Sequence, residues 1–191
     1  MHYIKQYNLI ILFMMMLCTG IGIGSIYLMK VSNENYTYIK EYLTSFMNTV
    51  DNLSKTTVFK NSLYENIIMV VAIFMFGFFK YGIIAVAACI IKKGFVMGFT
   101  SASMLKCFGI KGMLVNVAYL PSIVVALPIL MLFSAASVKN DTNNTKIRKK
   151  LPINYIIFAI ITITIFCVSS FLEAYLTTTF MKILSESLVQ G

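Results

Sequence analysis

Few side chains in this sequence could do acid–base or nucleophilic chemistry. Its 191 residues include seven acidic residues and a single histidine, His2, so the commonest general base and the commonest transition-metal ligand are scarce. Its four cysteines show no CxxC spacing, and three of them, Cys18, Cys89 and Cys167, fall in apolar stretches where a free cysteine behaves as a small hydrophobic residue. We therefore predict no catalytic site, no metal site, no cofactor and no disulfide framework.

Charged residues inside apolar stretches are the strongest candidates for a functional role. Lys92 and Lys93 are followed by Gly94 and, four residues on, by Gly98. Lys92 is ten residues beyond Gly82, which places it roughly 15 Å along a helix and deeper in hydrocarbon than a lysine easily reaches back from. The sequence therefore predicts either a helix interrupted at Gly94 or two amines that face protein or water.

Two prolines and one glutamate complete these candidates. Pro121 and Pro128 are one heptad apart, so they fall on nearly the same helix face, and each frees a backbone carbonyl that neighbours must satisfy. Glu173 lies far along the last apolar stretch, near its expected outer end. Helix rise separates Glu173 from Lys93 in depth by roughly 14 Å, so we predict that both matter but that they do not pair.

The elements that carry these residues are apolar helices. The chain is 59% hydrophobic and 12% charged, with a mean hydropathy of +0.82, which lies outside the range of soluble domains. Stretches of about 20 apolar residues, each able to cross roughly 30 Å of hydrocarbon, occupy most of it. We predict one all-α domain over 1–191, a polytopic membrane helical bundle with spans at about 9–29, 63–79, 82–105, 113–138 and 153–176.

Local motifs mark how two of these spans begin and pack. Gly20 and Gly24 form a GxxxG pair in the first span, which lets another helix approach closely. Ser62 and Glu65 match an S-x-x-E capping box, which predicts that the second membrane helix begins there.

A polar segment at about 30–62 separates the first two spans and is predicted to lie outside the bilayer. Its apolar residues recur at spacings of three and four, which indicates an amphipathic helix. The exposed apolar face must be covered by the membrane surface, by the bundle or by a partner, and it consists of Ile39, Leu43, Phe46 and Val50.

The net charge of +9 does not indicate nucleic-acid binding. The basic residues are fifteen lysines and one arginine, scattered between apolar stretches, whereas proteins that bind phosphate groups favour arginine on a contiguous basic face.

The basic residues indicate the orientation in the membrane instead. Loops rich in lysine and arginine stay on the cytoplasmic side, so the densest basic loop, 139–152, is predicted to be cytoplasmic. With five spans the amino terminus is then inside, and the segment 30–66 and the carboxyl terminus are outside.

Together these motifs resemble the stage II sporulation protein M family over nearly the whole chain. The resemblance rests on three groups of residues: Lys93-Gly94 with Gly98-Phe99-Thr100, the entry Lys111-Gly112 to the proline-containing span, and the run Ser-Ser-Phe-Leu-Glu-Ala-Tyr at 169–175. The last run is the most specific.

The resemblance implies a noncatalytic scaffold of the sporulation engulfment machinery, in the septal and engulfing mother-cell membrane. It also implies two partners, the peptidoglycan hydrolases known as stage II sporulation proteins D and P, besides membrane lipid; the chain could also form a homo-oligomer. The residues themselves leave two alternatives open. The intramembrane lysines and the two prolines would also suit a small-molecule transporter or channel-like protein, and the spans offer serines and one carboxylate, but no histidine, for an intramembrane enzyme.

Overall fold

The computed structural model of the protein describes residues 2–49, 55–79, 81–143 and 153–189. These residues form helices joined by short connections, without a strand among them. In chain order the helices are α1 (His2–Lys30), α2 (Asn33–Thr49), α3 (Lys55–Phe76), α4 (Gly82–Phe108), α5 (Ile110–Asn143) and α6 (Ile153–Val189).

Five of these helices, all except α2, are long and apolar enough to cross a membrane. A helix satisfies its backbone groups internally, which is what a chain must do where lipid offers no hydrogen-bond partner. The prediction of an all-α membrane bundle with five long apolar helices is therefore confirmed. The polar segment between the first two of them contains α2, the expected amphipathic helix.

The second membrane helix starts earlier than its sequence motif predicts. α3 begins at Lys55, and Ser62 lies two turns inside it, buried, with its hydroxyl 2.6 Å from a Glu173 carboxylate oxygen. The capping-box prediction for Ser62 and Glu65 is thus wrong. A serine at a helix cap accepts a hydrogen bond from a nearby backbone amide. The Ser62 hydroxyl instead donates to a distant carboxylate, and this charge-assisted hydrogen bond is stronger than a cap bond.

The other helices also run past their predicted ends. α5 continues to Asn143 and so includes the first residues of the predicted basic loop, whereas 144–152 lies outside the described residues. α6 continues to Val189, past the predicted end of the last span near residue 176. α4 is continuous through Gly94, so the predicted alternative of an interruption there does not occur.

Two short turns set the antiparallel order of α3, α4 and α5. The first lies between Phe76 and Gly82, where the Gly82 amide donates to the Phe79 carbonyl at 2.9 Å. The second is Gly109 alone, whose φ of 59° is open to glycine and whose amide donates to the Leu105 carbonyl at 2.9 Å. α5 therefore runs straight back along α4.

Packing follows a simple order in which α1 lies along α4, α4 along α5, α5 along α6, and α6 along α3. At the end nearest the first turn, the Tyr155 ring stacks between those of Phe74 and Phe133, with centroids 4.9 and 5.7 Å away. The fully buried side chains of this core include Phe13, Val70, Ile73, Val86, Ile90, Leu130, Met131, Phe133 and Phe166.

Candidate functional site: a carboxylate held by three helices

Glu173 of α6 lies at the centre of a polar cluster between α3, α5 and α6. One of its carboxylate oxygens accepts a hydrogen bond from the Ser62 hydroxyl at 2.6 Å, and the other accepts one from the Tyr119 hydroxyl. Ser62 is also 3.2 Å from the Ser170 hydroxyl, and the Asn66 side-chain amide donates to Ser170 at 3.0 Å. Every group around the carboxylate in this cluster is neutral.

The hydrogen bonds of this cluster have one consistent direction. A serine hydroxyl has a single proton to donate, and Ser62 gives it to the carboxylate, which is acceptor-only when ionised. Ser170 must then donate to Ser62, while Asn66 donates to Ser170. Each donor in this series of hydrogen bonds points toward Glu173, and such aligned hydrogen bonds strengthen one another in a low-dielectric interior.

A second contact, next to the hydrogen bonds around Glu173, joins α5 to α6 through two buried serines. The Ser122 hydroxyl reaches the Ser169 carbonyl at 3.1 Å, and the Ser169 hydroxyl reaches the Ser122 carbonyl at 3.0 Å. The two hydroxyl oxygens are 2.8 Å apart. Small side chains that bond to the opposite backbone are a common means of tightening membrane helix pairs.

Contacts along α4 and α5 indicate the depth of this cluster. The Asn116 amide donates to the Ser101 carbonyl at 3.2 Å, and because α5 runs antiparallel to α4, Tyr119 is level with about residue 98 of α4. Glu173, which bonds Tyr119, is therefore roughly 8 Å above Lys93, less than the 14 Å expected from helix rise alone. Glu173 is half-buried and held by side chains of the bundle.

The two intramembrane lysines lie apart from this cluster. Lys93 is half-buried, and Lys92 is exposed on the outer side of α4. Neither forms an ion pair with an acidic side chain among the residues that the structure describes, so the expectation that Lys93 and Glu173 do not pair agrees with the geometry. Pro121 and Pro128 both lie inside α5 with exposed side chains.

The glycines Gly94 and Gly98 belong to a close contact between α1 and α4. Gly94 packs on the Leu17 carbonyl, where an added Cβ would lie 2.5 Å from the oxygen. Gly20 on α1 returns the contact, since a Cβ there would lie 2.5 Å from the Ile91 carbonyl oxygen. Gly24 and Gly98 repeat the arrangement one turn on, so the GxxxG pair in α1 meets a second GxxxG pair in α4.

The amphipathic helix α2 rests on the end of α4 that carries the Gly109 turn. The Tyr36 hydroxyl donates to the Lys106 carbonyl at 3.1 Å, and the Lys106 ammonium lies 4.4 Å from the Tyr36 ring centroid. Burial, together with the Cys107 thiol, raises the pKa of the Tyr36 phenol above its ordinary value.

Only part of the predicted apolar stripe on α2 falls within the described side chains. Ile39 and Leu43 are half-buried, on the same side of the helix as Tyr36, while Phe46 and Val50 lie outside the described side chains. Whether this face serves a partner or the membrane surface stays a prediction.

Comparison with known proteins bears on the whole arrangement. The family model described as Stage II sporulation protein M matches residues 9–178, which include the glycine contact, the serine contact and Glu173. The chain belongs to the stage II sporulation protein M family. It is thus a sporulation-related membrane protein, and this family is not a known enzyme family. No curated protein and no solved structure matches the chain.

Sequence patterns identify the carboxylate at the centre of the site but not most of the side chains that form hydrogen bonds around it. Glu173 and the Gly94–Gly98 pair are among the predicted candidates, and Ser170 lies in the run 169–175, whereas the sequence indicates no role for Asn66 and predicts a helix cap at Ser62. Their signal is visible afterwards: Ser62 and Asn66 are polar residues spaced by one helical turn on the buried face of α3. Within the described residues, no group of histidine, cysteine, aspartate or glutamate side chains could hold a metal ion.

Proposed function

We propose that this protein is a noncatalytic membrane scaffold of the sporulation engulfment machinery, which anchors and localises the peptidoglycan hydrolases called stage II sporulation proteins D and P at the septum. The single observation that carries the proposal is the placement of α2. It lies outside the membrane-spanning helices, is fastened to the bundle on one side and is open on the other.

The fastened side leaves a pair of aromatic residues free for a partner. Tyr38 and Tyr42 are one helical turn apart and 66% and 72% exposed, and they lie about 100° around α2 from the half-buried Ile39 and Leu43. Tyrosine is enriched among the residues that dominate protein–protein binding, because it offers a large apolar ring with a polar tip at small entropic cost. A helix that is attached to the bundle and presents two such residues suits the capture of an extracytoplasmic enzyme.

The polar cluster supports a scaffold more than a transport pathway. Among the buried side-chain nitrogen and oxygen atoms of the described residues, Ser134 Oγ alone has no hydrogen-bond partner. A polar network whose members are satisfied by one another fixes one arrangement of helices. The cluster thus joins α3, α5 and α6 in one arrangement.

The test is copurification of the solubilised full-length protein with each hydrolase, comparing the wild type with Tyr38→Ser/Tyr42→Ser. Truncating two binding residues should lower recovery of hydrolase by about tenfold or more, with membrane insertion unchanged. The matched control is Tyr81→Ser, which alters a tyrosine that is 70% exposed at the opposite end of the bundle and should have no effect.

Leu43→Ser separates the two faces of α2, because this change would loosen the helix from the bundle without touching the tyrosines. If Tyr38→Ser/Tyr42→Ser leaves copurification intact while Leu43→Ser abolishes it, partners bind the apolar stripe instead. If no α2 variant affects recovery, or if the protein is expressed constitutively and not during sporulation, the scaffold proposal fails.

A further inference from the structure

The membrane-facing side of α5 holds both prolines of that helix. Ser122, which bonds Ser169 of α6, lies about 100° around α5 from Pro121. Asn116, which bonds the Ser101 carbonyl of α4, lies about 140° around in the other direction. The face that contains Pro121 is therefore turned away from both neighbouring helices.

The exposure of individual residues agrees with this placement. Pro121 and Pro128 are exposed, and so are Val117 and Val124, at 46% and 67%. All four fall within about 60° of one another around the helix axis. They form one stripe along α5, the proline face, which is open to the membrane.

Each proline removes a backbone hydrogen bond on the proline face. A proline nitrogen carries no hydrogen, so Pro121 cannot donate to the Val117 carbonyl and Pro128 cannot donate to the Val124 carbonyl. α5 nevertheless continues as a helix through both positions, so each carbonyl lies on the helix surface without its usual donor. A carbonyl without a donor is unfavourable in hydrocarbon, and a group that donates to it there stabilises the helix.

The polar side chains of α5 itself do not serve these carbonyls. Between residues 113 and 128 these side chains are Asn116, Tyr119 and Ser122, and each bonds a group of α4 or α6. They lie at least about 100° around the helix from Pro121. Donors for the two carbonyls must therefore come from a molecule that packs against the proline face.

The depth of the two carbonyls indicates what kind of molecule this is. Because Asn116 bonds Ser101 and the two helices are antiparallel, Val117 is level with about residue 100 of α4 and Val124 with about residue 93. These levels are roughly 27 and 16 Å above the inner end of α4. In a hydrocarbon core of roughly 30 Å the second level is near the middle, where lipid offers acyl chains without any donor.

A second copy of the chain does not supply the donors either. A twofold contact through this surface would set one proline face against the other, and the residues of that face are valines and prolines. Neither residue type has a hydrogen-bond donor in its side chain. The occupant that fits is a helix of another protein with polar side chains within the bilayer.

We propose that the proline face of α5 binds a membrane-spanning helix of a different protein, which presents two donor side chains, such as serine hydroxyls, to the Val117 and Val124 carbonyls. Donors seven residues apart lie within about 20° of each other and roughly 10 Å apart along a helix, which matches the rise between the two carbonyls. Hydroxyl and amide side chains commonly bond across membrane helices in this way. This contact lies within the bilayer and is independent of the α2 surface.

The experiment measures binding of synthetic single-span peptides to the full-length protein in liposomes, by energy transfer between labelled protein and labelled peptide. One leucine–alanine peptide carries two serines seven residues apart at the levels of the two carbonyls. A second peptide carries alanines at these positions, and a third carries two serines five residues apart, on different faces. The first should bind about tenfold more tightly than the second, or about threefold for each hydrogen bond, and more tightly than the third, which can form only one.

Pro121→Ala/Pro128→Ala is the matched protein variant, because alanine restores the amide that bonds each carbonyl within α5 and also favours the helix. This variant should bind the first peptide no better than the second. Tyr38→Ser/Tyr42→Ser should bind the first peptide as the wild type does, which separates this contact from the α2 surface. The proposal is overturned if the first two peptides bind the wild type equally, if the variant without prolines still prefers the first peptide, or if unlabelled protein displaces that peptide, since a second copy is then the occupant.

Discussion

The close contact between α1 and α4 allows a substitution whose effect can be worked out from the structure. In Gly94→Ala the new methyl group would lie 2.5 Å from the Leu17 carbonyl oxygen and 3.2 Å from the Ile21 amide nitrogen. Both are backbone atoms, so no flexible side chain can move aside. Ordinary van der Waals contact begins at 3.4 Å, so the two helices must separate by about 0.9 Å at this point.

That separation has a calculable cost. A gap of 0.5 to 1 Å forfeits about a quarter to a half of the dispersion energy of the atoms that line it, and overpacking typically destabilises by about 1–3 kcal/mol. Alanine recovers up to about 1 kcal/mol because it is a better helix former than glycine. The net loss for Gly94→Ala should therefore be about 1–2 kcal/mol.

Gly22→Ala is the matched control, because this glycine lies in α1 between the two that touch α4, and nothing lies within 4 Å of its added Cβ. The control should be neutral or stabilising by up to about 1 kcal/mol through helix propensity alone. The assay is the free energy of unfolding in mixed detergent micelles, followed by circular dichroism. Equal losses from both variants, or stabilisation by Gly94→Ala, would show that helix contact is not what these glycines provide.

Two further outcomes are expected. Ser62→Ala removes a hydrogen-bond donor to the Glu173 carboxylate and should lower the same free energy of unfolding by about 1 kcal/mol, within the range of hydrogen bonds measured in membrane bundles. The control Thr164→Ala removes an exposed hydroxyl that bonds only within its own helix, and it should lower the free energy of unfolding by less than half as much. A cysteine placed at Asn143, after the native cysteines are replaced, should be unreactive toward an impermeant reagent in intact cells, because the basic loop that follows is predicted to be cytoplasmic; strong labelling would reverse the assigned orientation.

The sequence alone determines that this chain forms five long apolar helices and one amphipathic helix. Runs of apolar residues of this length have few alternatives, because a backbone in lipid must satisfy its own hydrogen bonds. The resemblance to its family is also a sequence property, since it depends on short runs of residues such as the one that contains Glu173.

Which helices contact one another, and through which residues, follows only from the tertiary packing. The Gly20–Gly24 spacing predicts that some helix comes close, but the partner is α4, whose matching glycines are more than 70 residues away. The Ser62–Glu65 spacing matches a cap because such motifs describe local bonds, yet the Ser62 hydroxyl bonds a carboxylate 111 residues away. Local sequence motifs do not describe such distant contacts. These contacts form when helices pack and the hydroxyl donates its hydrogen bond to the strongest acceptor within reach.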